Sequence, residues 1–173
     1  MTYEEFMMFT MQRDVYHELI YGVPALMPAP FDAHAVANDN LLYLLKDCFR
    51  FFDKKCKVRH TPYDVYLDGL NHTYQPDICV ICSPHKIKKH GCVGSPDLII
   101  EVLSESTENK DRIIKKNIYL SHGVKEYWIV NTWERCIEIW LDINTCTTYY
   151  DSDTIISPTF SLIEFDVSLV FED

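Results

Sequence analysis

Carboxylates interrupt two of the most apolar stretches of this chain. Asp77 stands directly before the run ICVI, and Glu101 lies inside the run LIIEVL at residues 98–103. A carboxylate buried among apolar side chains is costly unless it is paired with a cation or binds a metal ion. Glu101 therefore needs a positively charged partner, and a divalent cation shared with a second carboxylate would meet that need.

Asp97 is the acid nearest to Glu101 in its own strand, but the two cannot share one ion. Strand side chains alternate, so Asp97, Ile99 and Glu101 point to one face. Four residues of regular strand span about 13 Å. Carboxylate oxygens lie only about 2.0–2.6 Å from a bound Mg²⁺ or Ca²⁺, so the second carboxylate must come from elsewhere.

Asp77 is a better partner for Glu101. The polar loop between the two strands has a length that suits an antiparallel hairpin. Such a hairpin would place Asp77 beside Glu101, about 4.8 Å away, and Asp97 across from Cys82 or Ser83. Asp77 and Asp97 both follow proline, so a role in turn formation is an alternative for each.

Lys115 offers a positive charge from the next predicted element. Asp111, Lys115 and Tyr119 recur every four residues and share one face of a helix. On its own, this spacing is typical of a solvent-exposed helical ion pair. The alternative is that Lys115 points back to the carboxylates, where its ammonium group would orient an attacking water or stabilise a phosphoryl transition state.

Periodicity and helix-breaking residues predict the elements that position these side chains. The predicted helices cover 2–11, where Thr2 and Glu5 form a capping box, 33–52 after Asp32, and 107–122 before Gly123. The predicted strands are a short pair around Gly22, then 57–67, 74–83, 97–103, 124–131 and 136–142. This order predicts an α/β fold with a mixed central sheet flanked by helices.

Length and composition predict one domain over residues 1–173, with 143–173 as a C-terminal β extension. The net charge of −10 argues against a broadly basic nucleic-acid-binding surface, although a local basic groove is compatible with it. The chain starts without a secretory signal, and no apolar stretch approaches the roughly 20 residues of a membrane span. We expect a cytoplasmic protein, away from membranes, whose seven cysteines are reduced thiols.

The cysteine and histidine pattern between residues 79 and 92 resembles a zinc site only superficially. A C-x2-C pair needs a tight turn, whereas Cys79 and Cys82 lie in an apolar strand where odd spacing points them to opposite faces. We expect them to be small buried hydrophobic residues. Trp128, Trp133 and Trp140 lie in or between predicted strands, and we expect them in the core rather than as platforms for stacking bases.

Three stretches carry a family resemblance: QPDICVI, SPDLIIEVLSES and KDRIIKKNIYLSHGVKEYWIVN. Together they resemble the Uma-type restriction endonucleases, a family of the PD-(D/E)XK nuclease superfamily. The earlier stretch YHELIYGVPALMPAPFDAH is similar to the N-terminal strand pair and the following helix of that family. The resemblance runs over roughly residues 2–142, and its most specific part is the spacing PDxxxEVxS followed by D-x3-K-x3-Y-x3-GV-x-EYW.

The resemblance implies a restriction-endonuclease-like core and hydrolysis of DNA phosphodiester bonds with Mg²⁺, or with Mn²⁺. Asp77 and Glu101 match the two catalytic acids, which would ligate the metal together with the backbone carbonyl of Val102. The superfamily lysine usually follows the Glu by two residues, where this chain has Leu103. In such families a lysine from the following helix substitutes, and Lys115 matches that position.

Other implications of the resemblance concern residues and partners outside this core motif. Glu18 and His34 match recurrent family positions and either complete the site or support the fold, and Asp97 is a further candidate. A homodimer is expected by analogy with the superfamily. The acidic charge and the missing lysine at position 103 favour an alternative, a catalytically degenerate nuclease fold that acts as a nucleic-acid-binding or regulatory module.

Overall fold

Two six-stranded β-sheets dominate the computed structural model, which describes residues 5–6, 8–9, 17–26, 31–51, 55–67 and 72–172. In chain order the elements are β1 (His17–Ile20), β2 (Val23–Leu26), α1 (Asp32–Phe51), β3 (Lys57–His60), β4 (Val65–Leu67), β5 (His72–Tyr74), β6 (Ile78–Ile81), a 3₁₀ turn (Pro84–Lys86), β7 (Ile87–Lys88), β8 (Gly91–Val93), β9 (Leu98–Val102), a π-helical segment (Lys110–Lys115), α2 (Lys116–Ser121), β10 (Glu126–Asn131), β11 (Cys136–Trp140), β12 (Cys146–Tyr150), β13 (Thr154–Ile156), β14 (Glu164–Asp166) and a 3₁₀ turn (Val167–Val170).

One sheet carries both predicted acids, and we call it the site sheet. Its strand order is β12-β11-β10-β9-β6-β3. β6 and β9 pair antiparallel, with Ile78 opposite Ile100. β9 and β10 pair parallel, with Glu101 opposite Ile129. The predictions of an α/β fold with a mixed sheet and of an antiparallel pair for the two acid-bearing strands are therefore confirmed.

β9 separates two apolar clusters because its side chains alternate. Leu98, Ile100 and Val102 pack on one side of the site sheet, against α1 and the C-terminal residues. Ile99 packs on the other side, in the cluster that contains residues of the second sheet, β2-β1-β5-β4-β8-β7. Glu101 shares the side of Ile99 and therefore points towards the second sheet.

Helix α1 covers the other face of the site sheet, as its sequence predicts. Its buried residues Ala37, Leu41, Leu45 and Phe49 recur every four positions, which gives one apolar stripe. Apolar side chains between residues 155 and 170 complete the same cluster, so much of the predicted β extension packs into this core. Its β13 and β14 form an antiparallel hairpin.

Two predicted strands are each divided between the sheets. The predicted strand 57–67 is β3 of the site sheet followed by β4 of the second sheet, and 74–83 likewise spans the end of β5 and β6. Pro62 and Pro76 lie at the two breaks, where their missing N–H groups cannot join a strand ladder. The predicted loop 84–96 also contains β7 and β8, and β8 pairs with β4.

The predicted helix 107–122 is present, but its first part is a π-helix over Lys110–Lys115. The N–H of Lys116 donates a hydrogen bond to the carbonyl of Asp111, five residues earlier. Of the predicted helix 2–11, only residues 5–6 and 8–9 are described, and they are helical. No helix within the described ranges is both long enough and apolar enough to cross a membrane.

The expectation that all seven cysteines are free thiols is wrong for one pair. Cys56 and Cys82 form a disulfide that joins the ends of β3 and β6. These two strands pair antiparallel with Lys57 opposite Ile81, so the cysteines are the next residues in register. The expectation of a small buried hydrophobic residue is therefore wrong for Cys82, whereas Cys79 is free and buried as expected. Cys92 is also free and buried, and burial raises the pKa of its thiol to about 11.

Candidate active site

Asp77 and Glu101 meet where β6 begins and β9 ends. The register that places Ile78 opposite Ile100 brings these acids side by side at the next position. The Oδ2 atom of Asp77 accepts a 2.8 Å hydrogen bond from the N–H of Val102. Asp77 is 9% exposed and Glu101 is 3% exposed, so two carboxylates lie together in a poorly hydrated place.

Lys115 is the positively charged partner of Glu101. Its Nζ atom lies 3.0 Å from Oε1 of Glu101, 2.9 Å from Oε1 of Glu18 and 3.3 Å from Oδ1 of Asp111. We call these four residues the ion cluster. The lysine is only 3% exposed, so the solvent-exposed ion pair suggested by the Asp111–Lys115 spacing is wrong, and the alternative in which Lys115 points to the carboxylates is confirmed.

Glu18 reaches the ion cluster from β1 of the second sheet, so the cluster lies between the two sheets. Its Oε2 atom is 2.6 Å from Nζ of Lys110, a residue that the sequence analysis did not select. Its Oε1 atom also accepts a hydrogen bond from the N–H of Gln75. The carboxylate of Glu18 is fully buried and is held by two lysines and one backbone N–H.

The π-helical segment explains how both lysines contact one carboxylate. In an α-helix, residues five apart are separated by about 140° around the axis. In a π-helix, residue i is hydrogen-bonded to residue i+5, so Lys110 and Lys115 lie on the same side. Short π-helical segments occur frequently at functional sites, but the sequence alone gave no signal for this one.

Burial and mutual repulsion set the protonation of the ion cluster. Burial, reinforced by the carboxylates of Asp111, Asp77 and Glu18, holds the pKa of Glu101 well above its usual range despite the attraction of Lys115. Burial likewise raises the pKa of Asp111. Burial alone would lower the pKa of Lys115, but the carboxylates of Glu101, Glu18 and Asp111 raise it well above its usual range. Lys115 is therefore protonated at neutral pH.

His34 joins the site from the first turn of α1. Its Nε2 atom lies 3.2 Å from Oδ2 of Asp77. Burial opposes protonation of this imidazole, but the hydrogen bond to Asp77 and the charge of Asp111 raise its pKa overall. The structure thus brings together Asp77, Glu101, Lys115, Glu18 and His34, which the sequence selected from five separate elements.

Asp97 lies at the opposite end of β9 from Glu101. Its Oδ2 atom accepts a 2.7 Å hydrogen bond from the N–H of Cys82, and its Oδ1 atom lies 2.9 Å from Nζ of Lys125. Both carboxylate oxygens therefore have structural partners near the strand entrance. Among the candidates, Asp97 is the residue that the structure does not bring to the site.

The chemistry of the donors fits Mg²⁺ or Mn²⁺ better than zinc. The carboxylates of Asp77 and Glu101 and the carbonyl of Val102 are the hard oxygen donors that Mg²⁺ prefers. No three His, Cys, Asp or Glu side chains in the described part of the chain converge closely enough to hold a metal together. Mg²⁺ needs only one or two carboxylates, since water and substrate phosphate fill its other positions.

Comparisons with known proteins agree with this fold. The model of the family described as "Uma2: Putative restriction endonuclease" matches residues 3–168. "Uncharacterized protein slr1290" of Synechocystis sp. is 25% identical over 130 residues, which are 75% of this chain and 67% of that protein. The crystal structure of "a putative nuclease belonging to DUF820" from Anabaena variabilis superposes with a TM-score of 0.82 at 17% identity, covering 99% of this chain and 97% of the other.

Proposed function

The chain belongs to the Uma2 family, and from this premise we propose that it is a metal-dependent endonuclease that hydrolyses phosphodiester bonds of DNA. One observation carries the proposal. A protonated lysine, Lys115, is buried among three carboxylates beside a fourth carboxylate, that of Asp77. So many ionisable groups in a poorly hydrated place are costly for stability, and such clusters are concentrated at functional sites.

Asp77, Glu101 and the carbonyl of Val102 would hold the Mg²⁺ or Mn²⁺ ion. A divalent cation there supplies charge neutralisation for the scissile phosphate and lowers the pKa of a bound water molecule. Lys115 would donate hydrogen bonds either to the attacking water or to the phosphate oxygens as their negative charge grows. Glu18 would keep the ammonium group oriented through its 2.9 Å contact.

His34 has a role that follows from its contact with Asp77. As long as it is protonated, its Nε2–H donates a hydrogen bond to Oδ2 of Asp77 and fixes the orientation of this carboxylate. Carboxylates that ligate a metal ion are commonly held by such a hydrogen bond from a neighbouring side chain. We propose that His34 positions Asp77, and also that the protein acts as a homodimer, which sedimentation velocity would test.

A second function is favoured by the charge that already occupies the site. Lys115 neutralises part of the negative charge of Glu101 and Glu18. In addition, Leu103 stands at the position where the superfamily usually has its lysine. A degenerate nuclease fold would use the same surface to bind nucleic acid without cutting it. The two functions differ in whether Mg²⁺ binds and whether DNA is cleaved.

Calorimetric titration of Mg²⁺ and Mn²⁺, together with a plasmid-nicking assay, decides between the two functions. We expect the wild type to bind metal and nick plasmid, and Glu101→Gln to lose both while it remains folded by circular dichroism. Glu164→Gln is the matched control, because this exposed carboxylate lies on β14. Nucleic-acid binding by the wild type without metal binding or nicking would support the degenerate module and refute the enzyme.

A further inference from the structure

A pocket adjoins the proposed active site at the carboxyl ends of β9 and β10. Its volume is about 140 Å³, and its lining includes Phe31, His34, Ser104, Glu105, Thr132 and Trp133. The hydrogen bond from the N–H of Leu103 to the carbonyl of Val130 joins the two strands at this point. His34 belongs both to the pocket and to the contact with Asp77, so the pocket lies beside the acidic site.

Two exposed aromatic rings line this pocket. Phe31 is 67% exposed and Trp133 is 50% exposed, so the expectation of a core position is wrong for Trp133, although Trp128 is fully buried. The turn that carries Trp133 is held by Asn131, whose Oδ1 atom accepts the N–H of Trp133 at 3.0 Å. Single exposed aromatic residues are ordinary, but two in one pocket beside a cluster of buried acids suggest a ring-shaped ligand.

The polar groups of the pocket suit a nucleobase better than a phosphate. No Lys or Arg of the described residues lines it, and Glu105 would repel an anion. A glutamate accepts hydrogen bonds from the exocyclic amino group of a base. A cavity of roughly 150 Å³ accommodates benzene, which matches the size of one aromatic ring.

We infer that this pocket binds one unpaired nucleobase of the substrate, stacked against Trp133 and Phe31. The inference rests on the proposed function, because the neighbouring phosphate would then lie at Asp77 and Glu101. A base inside a duplex is stacked on its neighbours and cannot enter such a pocket unless it is turned out. The preferred substrate is therefore single-stranded nucleic acid, or a duplex with an unpaired base close to the cleaved bond.

Fluorescence anisotropy with labelled oligonucleotides tests the inference without relying on cleavage. A single-stranded oligonucleotide and a fully paired duplex are titrated with protein in EDTA and again in Ca²⁺. We expect the single strand to bind more tightly, and Trp133→Ala to weaken that binding by roughly 5- to 150-fold, the usual effect of losing one stacking contact. Trp133→Phe, which keeps a ring, should restore most of the affinity.

Tyr43→Ala is the matched control, because Tyr43 is an aromatic residue on α1 that is 72% exposed and does not line the pocket. It should bind as the wild type does. An abasic scan of the single strand should find one position that contributes most of the affinity. Equal affinity of Trp133→Ala and the wild type, or no single-strand binding by the wild type in either buffer, would overturn the inference.

The outcome is separable from that of the proposed function. Loss of single-strand affinity in Trp133→Ala without any Mg²⁺-dependent cleavage by the wild type would support the pocket and refute the enzyme. Cleavage of plasmid DNA by a protein whose single-strand binding is unaffected by Trp133→Ala would support the enzyme and refute the pocket.

Discussion

Lys115→Met removes the positive charge that contacts Glu101 in the ion cluster. The methionine keeps most of the apolar stem of the lysine side chain. The lysine ammonium lies within 3.3 Å of three carboxylates. Lys110 still contacts Glu18 in this variant. The carboxyl groups of Glu101 and Asp111 therefore lose the most electrostatic attraction, because Lys115 is the lysine that they contact. We expect a large decrease in the free energy of unfolding.

The size of the decrease follows from the burial of this cluster. Removal of one partner from a buried ion pair typically costs about 3–5 kcal/mol. For a chain of this length, each 1 kcal/mol lowers the melting temperature by about 2–4 °C. Lys115→Met should therefore melt about 6–20 °C below the wild type near neutral pH.

The deficit should shrink as the pH falls. The pKa values of Glu101 and Asp111 in the folded protein are raised above the ordinary values of 4.5 and 3.8. A raised folded-state pKa contributes stability that is present at low pH and is lost as the pH rises through it. Loss of Lys115 raises both pKa values further, so the variant approaches the wild type as the pH falls towards 4.

Urea unfolding followed by circular dichroism, near neutral pH and near pH 5, measures both effects. Lys116→Met is the matched control, because Lys116 lies outside the cluster with Nζ over the ring of Trp140 and should cost at most about 1 kcal/mol. Combining Lys115→Met with Glu101→Gln should recover stability. A deficit no larger than that of Lys116→Met, or one that does not change with pH, would refute the account of the ion cluster.

Three further predictions concern structural features around the site. Asp97→Asn should lower the free energy of unfolding by about 1.5–3 kcal/mol, because it weakens the hydrogen bond that the charged carboxylate accepts from the N–H of Cys82. Mg²⁺ affinity measured by calorimetry should not change, and a parallel loss of that affinity would contradict the structural role of Asp97. Thiol titration of denatured, unreduced protein should find five free cysteines, and seven titrated thiols would exclude the disulfide. Replacing Cys56 and Cys82 by alanine should lower the free energy of unfolding in urea by about 3.5 kcal/mol. Gly91→Ala would place a Cβ against the carbonyl oxygen of Asp64 at a φ of +148°, so it should lower stability by roughly 1–3 kcal/mol. Wild-type stability of this variant would show that the backbone adapts there.

The part of the site that depends on local order was predictable from the sequence. Strand alternation placed Glu101 on the face of Ile99, and the connection between the two strands placed Asp77 beside Glu101. Both arguments need only neighbouring residues and one hairpin. The structure agrees, with Val102 donating its N–H to Asp77.

The part that depends on contacts between distant elements was not derivable from spacing alone. Glu18 and Lys110 are 92 residues apart and belong to different elements, and the spacing of Lys110 does not suggest a contact with Glu18 in a regular helix. The Cys56–Cys82 disulfide likewise depends on the register of β3 against β6. Trp133 was misassigned because a turn between two buried strands can expose a ring that the strand pattern would bury.

The π-helical segment also makes the chain tolerant of one particular deletion. Removing one residue between Lys110 and Lys115 would let this segment close into an ordinary α-helix. The two lysines would then be four residues apart, about 40° from each other around the axis, and would stay on one face. An α-helix that kept all six residues of Lys110–Lys115 would instead separate the two lysines by about 140°, so the wider turn is what lets the chain hold this number of residues between them.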